Sequence, residues 1–447
     1  MEPLDSSSFI SRSLLVAFIG TFIVFFVVYI RSKRNTSNGL NLQNAVAEKT
    51  VLSSTGYPTI IPLEPFNWET AEPLVFRPFK PKYHLTMAIS PLEPSDLIPM
   101  DKTYLSRLSL RKNLLKEYPD VVRGVNIQPD RPTNNALIEE ALCEWYSYVM
   151  GVYLPQRYPG MFRLSPSAGG DKQGSEAQKG TMLESLVTGL KVPIDPVELM
   201  KSSSSSSCFS ISPSNIAKQD HHEKKNQLLH LLDTLGTWVD EDFLILLPSF
   251  SQADQDTKYH LEAYTTYYPS GFDTRTKLGR PLAEIHKPVP GYREKLEKSM
   301  DRFFERLEVG RAVVRVNWSV MTKGTGLFAA FGGMHHHEEQ AGGNGNYGDG
   351  DASQEAEEEQ KIKVEEFNGE ETFLRCERQT LHRLPKSKAL LFAFHTYTYP
   401  LQDIKDEGLG EDLAVATDGL KGGNVPQMFP YKRGPYWGEA VKAFLRA

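Results

Sequence analysis

Residues 13–30, SLLVAFIGTFIVFFVVYI, run for 18 residues without a charge. That is about the shortest stretch that crosses the hydrocarbon core of a bilayer as an α-helix. A cleaved signal peptide would have an apolar core of roughly 7–15 residues with its basic flank in front, whereas Arg31, Lys33 and Arg34 follow the stretch here. The segment therefore reads as a single-pass membrane anchor preceded by a short tail, residues 1–12. Glu2 and Asp5 lie before the span and three basic residues behind it, so the positive-inside rule places the body of the chain in the cytosol. The endoplasmic reticulum is the membrane expected. The sequons at Asn35 and Asn317 would then stay unmodified.

Behind the anchor, residues 31–60 are polar and rich in Ser, Asn and Thr, a composition that suits a flexible tether. The remaining 61–447 form a single domain by this reading. Residues 165–178, 201–226 and 332–366 carry SSSSSS, HHEKKN, GGNGNYGDGD and EAEEEQ runs and read as disordered insertions. With 40% hydrophobic residues and a net charge of −6 over 447 residues, the chain can build a large core and offers nothing that argues for nucleic acid. Its three cysteines, Cys143, Cys208 and Cys376, share no CxxC spacing, which fits a reduced compartment and excludes a zinc finger.

The ordered remainder mixes helix and strand. Periodicity predicts amphipathic helices over 101–118, 134–157 and 292–307, the first opened by the Asp101 cap. Stretches rich in β-branched and aromatic residues predict strands at 243–247, 259–268, 313–321, 373–382 and 389–399. No βαβ alternation is visible, so the fold class is α+β, an antiparallel sheet flanked by helices.

Polar side chains inside apolar strands are the informative exceptions. In FLRCERQTLHRLP the period of two puts Arg375, Glu377 and Gln379 on one face and Leu374, Cys376 and Arg378 on the other. A structural ion-pair network and a guanidinium cluster for ligand carboxylates both fit that pattern. In RVNWSV, Arg315 and Asn317 share one face and Val316, Trp318 and Val320 the other, half ligand-facing and half core. The segment GRPLAEIHKPVPGY sets His286 just ahead of Pro288 and Pro290; proline holds the preceding residue extended, so Lys287 and Val289 are expected to be extended and the histidine held at a fixed angle. Runs such as His335–His337 sit in the glycine-rich insertion and more often make a polar tract than a metal site. There is no HExxH, no GxSxG, no GxxxxGK[ST] and no GxGxxG between a strand and a helix.

Taken in order, YHLTMAISPLEPSDLIPMDKTYLSRLSLRKNLL, LPQRYPGMFRL, WVDEDFLILLP, YYPSGFDTRTKLGRPLAEIHKPVPGY, RFFERLEVGRAVVRVNWSV and LRCERQTLHRLPKSKALLFAFHTYTYPL resemble the haem-dependent oxidative N-demethylase alpha-subunit-like family, over roughly residues 75–404. The resemblance implies a PAS-like fold that binds haem b. In bacterial members it also implies oxidation of a small secondary amine, with a methyl group lost as formaldehyde. A haem pocket needs an axial ligand, an apolar cavity and cations for two propionates. The axial, metal-binding role falls first to His286, with His84 and His395 in reserve. Arg280, Arg315, Arg375 and Arg378 are the candidates for the propionates. Tyr267, Phe272 and Trp318 are expected to wall the cavity. Glu377 or Asp242 would handle protons. The chain carries no iron–sulfur or flavin motif, so an external electron-transfer reductase is implied as partner.

Two other classes compete. A membrane-tethered PAS-like haem or small-ligand sensor keeps the fold and drops the turnover, although no output domain accompanies it. A lumenal glycosyltransferase would need the opposite orientation and a DxD motif, and the DGD at 349–351 lies in the glycine-rich insertion.

Overall fold

Strand alternation in the sequence is realised as one large sheet. The computed structural model describes residues 52–53, 56–166, 180–203, 213–249, 257–322, 327–329 and 367–447, and the side chains of all of these but 203 and 213–220. Its strands are β1 (Ser90–Leu92), β2 (Arg123–Val125), β3 (Phe162–Pro166), β4 (Thr181–Ser185), β5 (Lys191–Pro193), β6 (Asp242–Ser249), β7 (Lys258–Thr265), β8 (Ala312–Met321), β9 (Phe373–Arg383) and β10 (Leu390–Pro400). Seven of them form an antiparallel sheet in the order β1-β8-β9-β10-β6-β7-β2, and β3-β4-β5 form a smaller one. The five predicted strands are β6 to β10, each within a few residues of its expected ends. The α+β expectation holds.

The helices that matter below are α1 (Tyr104–Glu117), α2 (Pro132–Tyr148), α3 (Pro213–Trp238), α4 (Leu282–Ile285), α5 (Tyr292–Lys295), α6 (Glu297–Arg306), α7 (Gly410–Gly419) and α8 (Gly434–Arg446). The predicted helix 134–157 is realised as α2 continued through one π-turn, Val149–Tyr153, into Leu154–Arg157. Predicted disorder over 201–226 is corrected in part, because residues 213–226 open α3. The polar HHEKKN run is the outward part of a helix whose later turns bury Leu228, Leu231, Leu232 and Leu235, a helical stripe with period 3–4. The tether also ends earlier than expected: Tyr57 and Ile60 are buried, and Tyr57 stacks on Tyr148 with ring centroids 3.7 Å apart. The expected anchor, residues 13–30, and the insertion 332–366 lie outside the described residues. Among the described residues no helix is long and apolar enough to cross a membrane.

The two faces of the sheet carry different cores. Phe243, Ile245, Leu247, Leu391 and Ala393 pack with Trp145, Leu228 and Leu231 of α2 and α3. Near its β8 end the same face, through Trp318, Cys376 and Tyr397, meets Leu413 of α7 and Trp437 of α8. The opposite face, with Leu246, Leu261, Leu381 and Leu390, meets Leu282, Tyr292, Leu296, Met300 and Phe304. Register explains the division: Val313, Arg315 and Asn317 of β8 stand opposite Leu381, Gln379 and Glu377 of β9, and partners in an antiparallel pair share a face.

A buried polar group sits on the α2 side of the sheet. His382 lies 5.3 Å from the ring of Trp145, neither of its ring nitrogens has a hydrogen-bond partner among the described residues, and burial pulls its pKa down to about 4. Above the ordinary value of about 6.5 the ring is neutral in both folded and unfolded chains. As pH falls below 6.5 the unfolded chain takes up a proton that the folded one refuses, so stability is lost between pH 6.5 and 4, by about 3 kcal/mol for this one group. Urea midpoints measured from pH 7 to pH 4.5 are expected to fall, and His382→Phe to remove about one proton from that slope. An unchanged slope would contradict the burial of a neutral imidazole here.

Candidate functional site

Between the β8–β9–β10–β6 face and the helical segment 282–306 the packing leaves a cavity of about 440 Å³. This lies within the roughly 300–1,000 Å³ typical of small-molecule and cofactor sites. Its walls are mostly aliphatic and aromatic: Leu85, Leu246, Phe272, Met300, Phe304 and Phe392 are representative. Five side chains with titratable chemistry stand among them besides tyrosines: His286, Lys277, Arg315, Glu377 and Lys432.

His286 is the C-cap of α4, with φ −97° and ψ 4°. The two prolines do not hold it on an extended run; the chain closes a turn, in which Val289 N donates to His286 O at 2.9 Å. The ring is fixed all the same. Its Nδ1 is 2.8 Å from the Leu282 carbonyl oxygen, and the ring stacks on Tyr292 at 4.8 Å and 12°. A carbonyl can only accept, so Nδ1 carries the proton and Nε2 keeps its lone pair. Burial pulls the pKa down to about 4, the Leu282 bond opposing and Lys277 and Arg315 adding to the fall. The imidazole is therefore neutral at physiological pH. A neutral ring whose other nitrogen donates to a backbone carbonyl is the arrangement found for metal-ligating histidines.

Arg315 enters from β8, opposite Gln379. Its Nε is buried without a hydrogen-bond partner among the described residues, and burial pulls the guanidinium below its ordinary range, with Tyr83 and Glu377 opposing. A half-buried cation at the wall of an apolar cavity favours an anionic guest. Glu377 accepts from Gln379 Nε2 at 3.1 Å; its other oxygen, 3.7 Å from Arg375 Nε, makes no hydrogen bond. Lys432, from the C-terminal segment, donates to Asn317 Oδ1 at 3.1 Å and to the Trp318 carbonyl. Lys277 lies 3.6 Å from the centroid of the Phe272 ring.

Of the residues singled out in the sequence, the cavity gathers His286, Arg315, Asn317, Glu377, Gln379 and Phe272. The others lie elsewhere. Arg280 and His84 are exposed to solvent. Trp318 is on the far face of β8, packed among Val320, Leu374 and Trp437. Arg378 donates to the carbonyls of Asp96 and Leu97 at 2.5 and 3.2 Å. Arg375 donates to Tyr268 O at 2.5 Å and Thr396 Oγ1 at 3.2 Å. Asp242 accepts from Tyr267 N and Tyr268 N at 3.0 and 2.8 Å and pairs with Arg111 at 2.9 Å. His395 stands between Glu241 and Asp240 at 3.1 and 3.4 Å, and Tyr267 lies under the Arg111 guanidinium at 4.1 Å. Arg375 with Glu377, Asp242 with Arg111, and His395 with Asp240 and Glu241 are buried charge pairs, in keeping with the structural ion-pair reading of the charged strands. The sequence reading missed Lys277 and Lys432. Lys277 ends the 3-10 helix Thr274–Lys277 and Lys432 caps the helix Met428–Tyr431, elements too short for periodicity to mark either residue.

Among the described residues no three His, Cys, Asp or Glu side chains converge as a metal cage. The chemistry present is one neutral imidazole with a free nitrogen, an apolar chamber, and cations at its edge. Residues 88–442 match the sequence model of a family described as haem-dependent oxidative N-demethylase, alpha subunit-like. No curated protein matches the chain.

Proposed function

The chain belongs to the haem-dependent oxidative N-demethylase alpha-subunit-like family, and on that premise we propose that the cavity holds a b-type haem and oxidises an N-methyl group of a small amine. The observation that carries the reading is His286, neutral, stacked, and tied through Nδ1 to Leu282. A haem demands one such axial nitrogen, an apolar chamber for the macrocycle and cations for the propionates. His286 Nε2 would hold the iron, and Arg315 and Lys277 would face the carboxylates. Arg315 and Lys277 are also the cations whose charge acts on His286.

Bound there, haem supplies the oxidation by oxygen that no side chain can supply. The protein contributes binding, orientation and proton handling. The apolar walls keep water from the reacting methyl group. Glu377, which lines the cavity and accepts from Gln379, takes the ammonium proton so that the amine reacts with its lone pair free. The balance is one amine N–CH3, one O2, two electrons and two protons in, and one N–H, one formaldehyde and one water out. A separate reductase supplies the electrons. The apolar stretch at 13–30 keeps the chain on the membrane with its body in the cytosol, beside that reductase. A PAS-like fold accords with the helix-flanked antiparallel sheet.

The full chain, loaded with haem and supplied with a chemical reductant, air and dimethylamine, is expected to release formaldehyde and methylamine in equal amounts. A haem-loaded, reducible protein that turns over no methylated amine would reduce this reading to haem binding alone.

A further inference from the structure

Lys432 is 2% exposed and lines the cavity. Among the described residues its Nζ has two hydrogen-bond partners, both neutral: Asn317 Oδ1 at 3.1 Å and the Trp318 carbonyl oxygen. A buried ammonium with no carboxylate bonded to it is costly to keep. The titratable and charged groups that act on it are Arg315 from β8 and Glu377 and Cys376 from β9, and the ring centroid of Tyr83 lies 6.0 Å from Nζ. Burial pulls the lysine down to about 8, opposed by Glu377 and Cys376 and assisted by Arg315. The two contacts also suit an amine better than an ammonium. An ammonium brings three N–H donors and no lone pair. A neutral amine brings two N–H groups, which Asn317 and Trp318 take, and a lone pair that neither contact uses.

We infer that Lys432 is a nucleophile of this cavity, one that takes a small aldehyde as a reversible imine. Nζ attacks the carbonyl carbon, the π pair of the C=O bond moves to oxygen, and that oxygen takes up the proton the nitrogen releases. The hydroxyl then leaves with the second Nζ proton as water, and a C=N bond joins the guest to the side chain. One aldehyde enters and one water leaves, so the step needs neither oxidant nor reductant. A lysine desolvated in an apolar pocket beside another cation is the setting in which such amines are activated, and Arg315 is that cation here. The apolar walls hold back the bulk water that would hydrolyse the imine. This goes beyond the amine-oxidation reading and needs no haem, although formaldehyde, the product of that reading, is the smallest guest of the required class.

The full chain treated with limiting formaldehyde and cyanoborohydride, which reduces the imine to a stable N-methyl group, tests the inference when methylation is mapped by peptide mass spectrometry from about pH 6 to about pH 10. At pH 7 Lys432 is expected to react at least about tenfold faster than the exposed Lys287 and Lys298, because more of it is unprotonated. Its rate should level off with a midpoint near pH 8, while the exposed lysines keep rising toward their ordinary value of about 10.4. Asn317→Asp puts a carboxylate where the amide accepts from Nζ, so it should hold the proton on the lysine and cut the Lys432 rate at pH 7 by about tenfold or more. Mere access to the cavity would not produce that change. Methylation of Lys432 no faster than that of the exposed lysines, or with their pH dependence, would overturn the inference from wild type alone; an Asn317→Asp rate equal to wild type would do so as well. Failure of the amine-oxidation reading shows separately, as a haem-loaded chain that releases no formaldehyde while Lys432 still reacts with the added aldehyde.

Discussion

His286→Ala is expected to lose haem affinity by more than about a hundredfold, and to lose or displace the Soret band of whatever haem remains. Disturbing the hydrogen-bond partner of a metal-ligating histidine alone typically costs 10–100-fold in affinity, and this change removes the ligand itself. The cavity walls remain, so added imidazole should enter the space left by the ring and restore the band. That rescue separates ligation from folding, because a misfolded chain would not recover. His395→Ala and His84→Ala should leave the band where it is, since one ring is held between Glu241 and Asp240 and the other is exposed to solvent. A His286→Ala protein with an unaltered Soret band would remove the axial assignment.

The second large effect lies outside the cavity. Asp242→Ala is expected to destabilise the fold by about 3–5 kcal/mol, the usual cost of removing one partner from a buried ion pair. The carboxylate accepts from two successive backbone N–H groups, Tyr267 and Tyr268, and pairs with Arg111. Arg111 is fully buried, and its remaining bonds go to the carbonyls of Gly236 and Glu241 at 2.6 Å each. Truncation would leave that guanidinium without its nearest counter-charge and two amides without acceptors. Gly236 belongs to the same device: a Cβ there would come within 2.6 Å of the Tyr267 ring, so the close approach of α3 to this segment needs glycine. Urea denaturation reads the loss directly. A fully stable Asp242→Ala chain that had lost amine oxidation would return this residue to the active site, where its residue type alone had suggested it.

Asp242 also shows where sequence reading reaches its limit. Alternation fixes which side chains share a face, and β8 and β9 obey it: Arg315 with Asn317, and Glu377 with Gln379, do line one cavity. What alternation cannot say is how far along a strand a ligand lies. Arg375, two residues from Glu377 on the same face, ends on Tyr268 O and Thr396 Oγ1 and not on the cavity. Position along the strand is set by what packs above it, and that comes from distant segments. His286 was legible because two prolines and a small helix isolate it, although the structure holds it by a turn and a carbonyl bond in place of extended backbone. Lys432 was not legible. It reaches Asn317 across 115 residues of sequence, and its own neighbourhood, MFPYKRGPYWG, carries no pattern that betrays it. Strands of three residues such as β1, β2 and β5 are too short for a period of two to show. The polar start of α3 looks like an insertion in the sequence because its stripe of leucines begins only at Leu228.

The most direct test of the account is a titration of the purified full chain with haem, followed by its visible spectrum in the oxidised and reduced states. A Soret band that grows to a sharp break at one haem per chain and shifts on reduction is expected, as a single histidine-ligated site requires. Absorbance that rises without a break, with the spectrum of haem free in solution, would contradict it.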